Sequence, residues 1–205
     1  MRSGRYSVTF ISFKSMISSY GQYKRNIKSD LIRYVETASI RQFIKSYLIT
    51  PGFKYMFWHR TTQYLFTKNT LLGYYALWRL KHFSYKFGIQ VSYRTQIGEG
   101  FYIGHFSNIV VSDQAIVGKN VNISQGVTIG MASTGDKIGA AVISDDVYIG
   151  PGAKLIGKIK VGTNVAIGAN AVVTKDVPDN AVVVGVPARI ISMKGAREYI
   201  IRKAP

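Results

Sequence analysis

The sequence predicts a mainly β protein: a parallel β-helix of hexapeptide repeats that follows an α-helical N-terminal region. Three observations predict this fold class. Aliphatic residues recur every six positions in the second half, glycine and asparagine recur between them, and the composition changes near residue 90. Hydrophobic residues make up 47% of the 205 residues, enough for a sizeable core. We expect a helical region over 1–90, a β-helix over 91–190 and a capping segment over 191–205.

The charge of the chain is unevenly distributed, and its formal net value is +17. Residues 1–90 carry 15 Lys or Arg and two acids, which gives +13, whereas residues 91–205 carry 12 and eight, which gives +4. The chain has no cysteine, which excludes disulfides, a thiolate nucleophile and cysteine-ligated zinc. A recognised nucleic-acid-binding motif is lacking, so we expect no nucleic acid among the partners despite the positive charge.

The first residues are basic, and serine and lysine interrupt their short apolar stretch. We therefore expect no signal peptide. The chain also lacks a run of about 18 apolar residues, so we expect no transmembrane helix. Met16 is an alternative start, so residues 1–15 are a candidate disordered segment outside the fold.

The N-terminal region predicts three helices, because aromatic residues, leucine and Lys or Arg recur there at loose helical spacing. The segments lie near 28–48, 52–67 and 70–87, with breaks at Pro51–Gly52 and Asn69. Two interpretations of this basic and aromatic surface stay open. Either the helices lie on an anionic membrane surface, or their aromatic residues form a core and trimer contacts while the charges face solvent.

The second half repeats with a period of six residues. Six differs from the helical period and is even, so each repeat returns its aliphatic side chain to the same face of a strand. Glycine and asparagine between the aliphatic residues provide turns that tolerate a positive φ. Short strands and turns repeated in this way wind into a parallel β-helix. The aliphatic series are Ile97, Ile103 and Ile109; Val111, Val117, Ile123 and Ile129; and Ile143, Ile149, Leu155, Val161, Ile167 and Val173.

The repeat has one interruption and a recognisable end. The segment 131–142 is polar and off register, so we expect it to leave the coil as a loop suited to substrate contacts. Pro178 and Pro187 fit the end of the array, because proline cannot donate a ladder hydrogen bond. We expect residues 193–203 to form a short capping helix.

Five segments of the chain carry a family resemblance. They are PGFKYMFWHRTTQYLF (51–66), IGHFSNIVVSD (103–113), NISQGVTIG (122–130), DVYIGPGAKLIGKIKVG (146–162) and GVPARI (185–190). Together they make the chain resemble the serine acetyltransferase branch of the hexapeptide-repeat acyltransferases. The resemblance implies a left-handed β-helix and a homotrimer with active sites between neighbouring subunits. It also implies that acetyl-coenzyme A lies in the groove between two helices and that the catalytic histidine is His105.

His105 is the predicted general base. Acetyl transfer from a thioester to a hydroxyl needs a group that accepts the hydroxyl proton, and histidine, with an ordinary pKa of about 6.5, suits that role. Of three histidines only His105 lies in the repeat, at a turn position from which it should project outward. We expect His59 and His82 to be packing or surface residues. One histidine in the repeat excludes the three-histidine zinc site of carbonic anhydrases with this fold, and we expect no metal.

The predicted donor site consists of small residues beside the groove and two cations that could meet the phosphates of coenzyme A. Turns also require glycine, so the glycines fit a purely structural role as well. The set is Gly130, Gly150, Ala153, Gly168 and Ala169, with Lys175 and Arg189 as the cations.

Three positions depart from the serine acetyltransferase pattern. The family has an acid directly before the catalytic histidine, a second acid further upstream and a second histidine in the loop; here these positions are Gly104, Gln90 and Ala140. The losses weaken serine as the acceptor, because a zwitterion needs charged partners. A backbone carbonyl, Glu99 or Asp113 would have to orient the base, and the sequence does not choose among them.

We therefore predict an acetyl-coenzyme A-dependent O-acetyltransferase that acts on a saccharide in capsule or exopolysaccharide synthesis. The alternative is a serine O-acetyltransferase of cysteine biosynthesis. The non-enzymatic alternative is an inactive homologue or a protein that binds anionic surfaces. We expect a cytoplasmic protein with a peripheral contact to the inner face of the membrane. The predicted acceptor-binding residues are Tyr102, Phe106, Ser107 and Asn108.

Overall fold

A computed structural model describes residues 17–205, and the prediction for residues 1–15 lies outside this range. The described chain begins with four helices, α1 (Tyr20–Ile32), α2 (Ile40–Ile49), α3 (Pro51–Phe66) and α4 (Thr70–Phe87). Helix α3 packs against the other three. Within the described residues, no helix is long and apolar enough to cross a membrane.

The predicted single helix over 28–48 is wrong, because the chain forms two helices there. Helix α2 starts after Ser39, whose side chain accepts a hydrogen bond from the Gln42 backbone N–H at 3.3 Å. Before it, Arg33 is drawn towards the β-helix, where its guanidinium donates to the Gly100 carbonyl at 2.9 Å. The sequence carries one sign of this break, because Ser39 followed by Gln42 three positions later is typical of a helix N-terminus.

Short strands follow and wind into a parallel β-helix in which each of the first four coils contributes one strand to each of three sheets. The first strand begins and the last ends within two residues of the boundaries expected at 90 and 190. The strands are β1 (Ile89–Val91), β2 (Gln96–Ile97), β3 (Tyr102–Ile103), β4 (Ile109–Val111), β5 (Ile116–Val117), β6 (Asn122–Ile123), β7 (Thr128–Gly130), β8 (Val142–Ile143), β9 (Tyr148–Ile149), β10 (Lys154–Ile156), β11 (Lys160–Val161), β12 (Ala166–Ile167), β13 (Val172–Val173), β14 (Val182–Val184) and β15 (Arg189–Ser192).

The three sheets give the β-helix a three-sided cross-section. Sheet A has the order β1-β4-β7-β10-β13, sheet B the order β11-β8-β5-β2, and sheet C the order β15-β14-β12-β9-β6-β3. The chain passes from A to B to C and back to A in each coil. We name each edge after the two sheets that it joins: the AB edge, the BC edge and the CA edge.

The predicted aliphatic series fill the interior of the β-helix. All of their members except Ile97 are buried, and members of adjacent coils pair in register, as Ile103 does with Ile123. Ile97 is half-buried. The prediction of a β-helix of hexapeptide repeats behind a helical region is confirmed.

The interruption of the repeat leaves the coil as predicted. Residues 131–141 form a loop at the AB edge, which we call the AB loop, and two backbone hydrogen bonds of 3.0 Å between Ala132 and Gly139 join its arms. The loop folds back on the fourth coil, where the Lys158 N–H donates to the Lys137 carbonyl at 2.9 Å. The loop therefore has a defined place beside sheet A.

The predicted capping helix over 193–203 is wrong. Strand β15 pairs antiparallel with β14 and closes the array, and the chain then runs back along the β-helix without helical structure. Asparagine side chains hold its backbone: Asn164 accepts from the Ala196 N–H at 3.0 Å, and Asn120 accepts from the Ala204 N–H at 2.8 Å. These side chains satisfy backbone groups that a helix would have paired internally.

A buried ion pair fastens the helices to the first coil. Arg60 of α3 and Asp30 of α1 have side chains that are 1% exposed, and their Nε and Oδ2 atoms lie 3.0 Å apart. Arg60 also donates to the carbonyls of Ile97 and Gly98 at 2.6 Å, and Asp30 accepts from the Phe101 N–H at 3.0 Å. Because both charges have partners and further hydrogen bonds, the pair can be buried. The helical region is thereby fixed on the coil that carries the candidate site.

Candidate active site

His105 lies at the CA edge of the first coil, in a turn that is two residues longer than the turn below it. Ile103 and Val111 are eight positions apart, whereas their register partners Ile123 and Ile129 are six apart. The change of phase in the repeat at this point is therefore an insertion of two residues into one edge.

Backbone hydrogen bonds identify the inserted residues as His105 and Phe106. The Gly104 N–H donates to a carbonyl of the second coil at 3.2 Å, and the Ser107 carbonyl accepts from the Gly126 N–H at 3.0 Å. Both ends of the turn thus stay on the coil below. The two residues between these anchor points are exposed and have no counterpart in the second coil. The imidazole projects outward, as its turn position predicted.

The end of helix α4 supports this turn. Ser107 and Asn108 have positive φ angles of 94° and 52°, which complete the extended turn. Helix α4 ends at Gly88, with a φ of 62°, and a Cβ there would approach the Asn108 nitrogen to 3.2 Å. The Phe106 ring rests on Phe87 with a centroid distance of 5.7 Å. The helical region therefore helps to set the position of the catalytic turn.

Three of the four predicted acceptor residues lie in the same turn as the histidine. The fourth, Tyr102, lies in strand β3 before the turn. Its ring packs on Tyr34 with a centroid distance of 4.6 Å, and the Arg33 guanidinium lies 5.8 Å from its centroid. Tyr102 therefore contributes to the contact between the helices and the first coil.

The candidates for orienting the imidazole of His105 lie on other parts of the β-helix. Glu99 lies between β2 and β3 at the BC edge, and Asp113 lies between β4 and β5 at the AB edge. Gln90 belongs to sheet A, and Ala140 is buried at the end of the AB loop. Glu99, Asp113 and Ala140 thus lie away from the CA edge of their own chain, whereas Gln90 pairs with Val110, which follows the His105 turn.

Below His105, small residues form a column along the CA edge. Gly150 stacks against Gly168 and Ala169 so closely that a Cβ on it would come within 2.9 Å of the Ala169 nitrogen. Arg189 is exposed at the foot of this column, in β15. Four coil steps of about 4.8 Å give a length of about 19 Å, which an extended pantetheine arm with its phosphates can span. The CA edge thus fits coenzyme A.

The remaining predicted donor residues lie apart from this column. Gly130 ends β7 and Lys175 follows β13, so both lie at the AB edge. Ala153 is fully buried in the core. Its side chain points inward, like that of the interior residue Leu155 two positions later, so a contact with a donor would have to be made by its backbone. The structure divides the predicted donor site between two edges of one chain.

Lys154 is a cation near the CA edge that the sequence analysis missed. It is half-buried on sheet A, and its ammonium donates to the Thr128 hydroxyl at 3.2 Å and to the Gly126 carbonyl. Because Gly126 also bonds to the catalytic turn, this cation is fixed one coil below it. The sequence does contain a signal for Lys154. It directly precedes the interior residue Leu155, which puts the Lys154 side chain on the outer face of the strand.

The other two histidines lie in the helical region, as expected. His59 is fully buried, with its Nε2 atom 3.0 Å from the Ser92 carbonyl oxygen, and His82 is exposed on α4. Within residues 17–205, no cluster of three or more His, Asp or Glu side chains is arranged to hold a metal ion.

Comparison with known proteins gives the same family as the sequence motifs. Residues 140–175 match the family described as bacterial transferase hexapeptide (six repeats). The serine acetyltransferase of Buchnera aphidicola is 31% identical over 214 residues, which cover 98% of this chain and 80% of that protein. The chain belongs to the serine acetyltransferase branch of the hexapeptide-repeat acyltransferases. It is thus a member of a family of acetyl-coenzyme A-dependent O-acetyltransferases.

Other members of the serine acetyltransferase branch agree in sequence and in fold. The Synechococcus elongatus serine acetyltransferase is 35% identical over 159 residues, which cover 77% of this chain and 64% of that enzyme, slightly less than two thirds of its length. The Brucella abortus enzyme in complex with coenzyme A has a TM-score of 0.73 and 30% identity, covering 86% of this chain and 70% of that one. The Neisseria gonorrhoeae enzyme in complex with serine has a TM-score of 0.69 and 31% identity, covering 82% and 69%.

Proposed function

We propose that the chain transfers an acetyl group from acetyl-coenzyme A to a hydroxyl group, with His105 as the general base. The observation that carries this proposal is the two-residue extension of the CA edge. It lifts the imidazole out of a regular coil at the top of a column of small residues. A donor lying along this edge would present its thioester to His105 and its phosphates to Arg189. The Brucella abortus relative with bound coenzyme A supports this donor.

The extended turn suits the proton transfers of the reaction. As the acceptor oxygen attacks the thioester carbonyl, His105 takes the hydroxyl proton. The carbon–sulfur bond then breaks, and the imidazolium gives the proton to the departing thiolate, so that the histidine ends neutral. Backbone N–H groups of the glycine-bearing turns are candidate donors to the developing oxyanion.

The relatives favour serine as the acceptor. Each relative named above is a serine acetyltransferase, and the Neisseria gonorrhoeae enzyme was solved with serine. The saccharide acceptor and the role in polysaccharide synthesis, which the sequence favoured, find no support in these relatives. One observation keeps a saccharide as the second candidate. Gly104, Gln90 and Ala140 supply none of the charges that the family pattern places around a zwitterion.

We also propose a cytoplasmic homotrimer whose active sites are shared between copies. The CA edge carries His105, whereas Gly130, Lys175 and the AB loop lie at the AB edge of the same chain. A groove between two neighbouring β-helices would bring the CA edge of one copy beside the AB edge of the next. This assembly would reunite the predicted donor residues that a single chain keeps apart.

Thiol release from acetyl-coenzyme A tests the proposed function. Serine is the acceptor in one series, and sugars, nucleotide sugars and oligosaccharides are the acceptors in another. His105→Ala should lower kcat by about 10²–10⁴-fold, whereas His82→Ala, which alters an exposed histidine on α4, should leave kcat unchanged. Turnover with serine supports the first acceptor, and turnover with saccharides alone supports the second. Full activity in His105→Ala would show that the assigned base is wrong.

A further inference from the structure

The solvent-facing half of helix α2 is an apolar and basic surface that no other described element covers. Ile40, Ile44 and Leu48 follow at a spacing of four and form one stripe, with exposed fractions of 75%, 51% and 63%. A contiguous aliphatic surface of this kind indicates an interaction site. The exposed side chains of α2 are Ile40, Arg41, Ile44, Lys45, Leu48 and Ile49.

The exposed face of helix α4 adjoins this stripe. Trp58 of α3 lies between the two helices: its Nε1 donates to the Tyr47 hydroxyl at 3.1 Å, and its ring centroid is 6.2 Å from that of Tyr75. The Arg79 guanidinium lies 5.1 Å from the Trp58 ring centroid, and Trp78 beside it is 61% exposed. We call the exposed residues of α2, together with Tyr75 and Trp78, the α2–α4 face.

An apolar groove opens beside this face, between α1 and α2. Its volume is about 480 Å³, and Ile27, Phe43 and Phe57 contribute apolar walls. The exposed Lys24 and Lys28 also line it. An apolar groove next to ammonium groups suits an amphiphile that has an acyl chain and an anionic headgroup.

The charges around the face have one sign. Residues 20–87 contain 12 Lys or Arg and two acids, a net +10. Asp30 is buried against Arg60, and Glu36 lies in the loop after α1, where Arg202 approaches it to 3.4 Å. The four described helices thus carry no exposed acid. A second copy docked here across a two-fold axis would oppose cations to cations, which is unfavourable.

We propose that the α2–α4 face binds the surface of an anionic phospholipid bilayer. Ile44 and Leu48 enter the boundary of the acyl chains, and Arg41 and Lys45 meet the headgroups. Aliphatic and aromatic side chains interleaved with Lys or Arg are typical of helices that lie in the membrane interface. The contact holds the enzyme beside the membrane and is independent of the proposed acetyl transfer.

Vesicle sedimentation of the full chain tests this proposal, with phosphatidylcholine vesicles that contain or lack phosphatidylglycerol. We expect binding to the anionic vesicles only, and weaker binding as salt is raised. The double variants Ile44→Ser/Leu48→Ser and Arg41→Gln/Lys45→Gln should each weaken binding by about tenfold or more. Two control variants in the C-terminal segment should bind like the unmodified chain. They are Ile201→Ser, which alters a residue that is 86% exposed, and Lys194→Gln/Arg197→Gln.

Two further measurements distinguish a loss of membrane binding from misfolding and from self-association. Circular dichroism and thiol release with a soluble acceptor should be unchanged in the α2 variants, because α2 lies outside the active site. Equal binding to both kinds of vesicle, no binding, or binding that the α2 variants retain would overturn the proposal. If the aliphatic variant changes the oligomeric state and no vesicle is bound, a second copy covers the face and the membrane proposal is wrong.

Discussion

His59 and His105 have the same side chain and opposite surroundings. His105 stands exposed on a two-residue extension of a turn, where a substrate hydroxyl can reach its ring. His59 is sealed between α3 and the first coil; its Nε2 lies beside the Ser92 carbonyl, and its Nδ1 has no hydrogen-bond partner among the described residues. Access to a proton therefore differs between the two residues. His105 is suited to catalysis, whereas His59 affects stability.

The buried histidine predicts a pH dependence of stability. Burial, with the Arg60 guanidinium as a second cause, lowers the pKa of His59 to about 3 in the folded chain, whereas it is about 6.5 in the unfolded chain. Below about pH 6.5 the unfolded state binds a proton that the folded state does not bind. The contribution of His59 to the free energy of unfolding is therefore fully present above about pH 6.5. It is lost as the pH falls from there towards 3, by up to about 1.4 kcal/mol per pH unit.

Urea unfolding between pH 5 and 7.5, a range chosen around an ordinary histidine pKa of about 6.5, measures this loss. The slope of unfolding free energy against pH should be smaller in His59→Gln than in the unmodified chain. His82→Gln removes an exposed histidine and should keep the original slope. Identical slopes in all three proteins would show that His59 is not held neutral by the fold.

At the scale of elements, two insertions interrupt the regular coil, and each produces an exposed segment at one edge. The first inserts two residues at the CA edge and produces the His105 turn. The second produces the AB loop, which the Ala132–Gly139 hydrogen bonds close at its base. Neither changes the register of the coils below, because each leaves and rejoins the β-helix at the same edge. A solenoid can thus carry functional loops without losing its core.

Shortening the AB loop should separate its role in activity from its role in folding. Deleting residues 133–136 removes exposed residues and leaves a short hairpin between Ala132 and Gly139. We expect the free energy of unfolding to change by less than about 1 kcal/mol. We expect kcat/KM to fall by about tenfold or more, because closing loops typically position substrates. The control Ser133→Ala/Thr134→Ala keeps the loop length, and an unchanged kcat/KM in the deletion would rule out a substrate contact.

At the scale of the whole molecule, the helices and the β-helix form one supported unit. The Asp30–Arg60 pair and the end of α4 fix the first coil, and the C-terminal segment runs back along the coils through asparagine side chains. The two edges that carry the predicted site residues nevertheless lie apart in one chain. The proposed trimer would bring these two edges together.

Mixing two defective variants tests whether the site is shared between copies. His105→Ala alters the CA edge, and the deletion of 133–136 alters the AB edge. In a randomly mixed trimer with equal amounts of both, about a quarter of the sites combine an intact CA edge with an intact AB edge of the neighbour. Thiol release after dissociation and reassociation should recover to about that fraction. The control mixture of unmodified chain with His105→Ala should give about half, and a site built within one chain would give no recovery for the two variants.

The sequence by itself determined the period and the interior of the β-helix, and it placed His105 in a turn. An even period of six can place the same side chain inside at every repeat only in a strand-based coil, so Ile143, Leu155 and their equivalents were assigned to the core from spacing alone. The shift of phase before Val111 marked the insertion that carries His105. These properties depend on residues that are close together in the chain.

Only the tertiary structure decided which edge each site residue occupies and which long-range partners hold it. Gly150 and Lys175 were predicted for one donor site, yet the winding of the chain places Gly150 at the CA edge and Lys175 at the AB edge. Arg33, directly after α1, reaches a carbonyl 67 positions away. Such contacts form because winding the chain into coils brings distant residues together, and no local spacing encodes them.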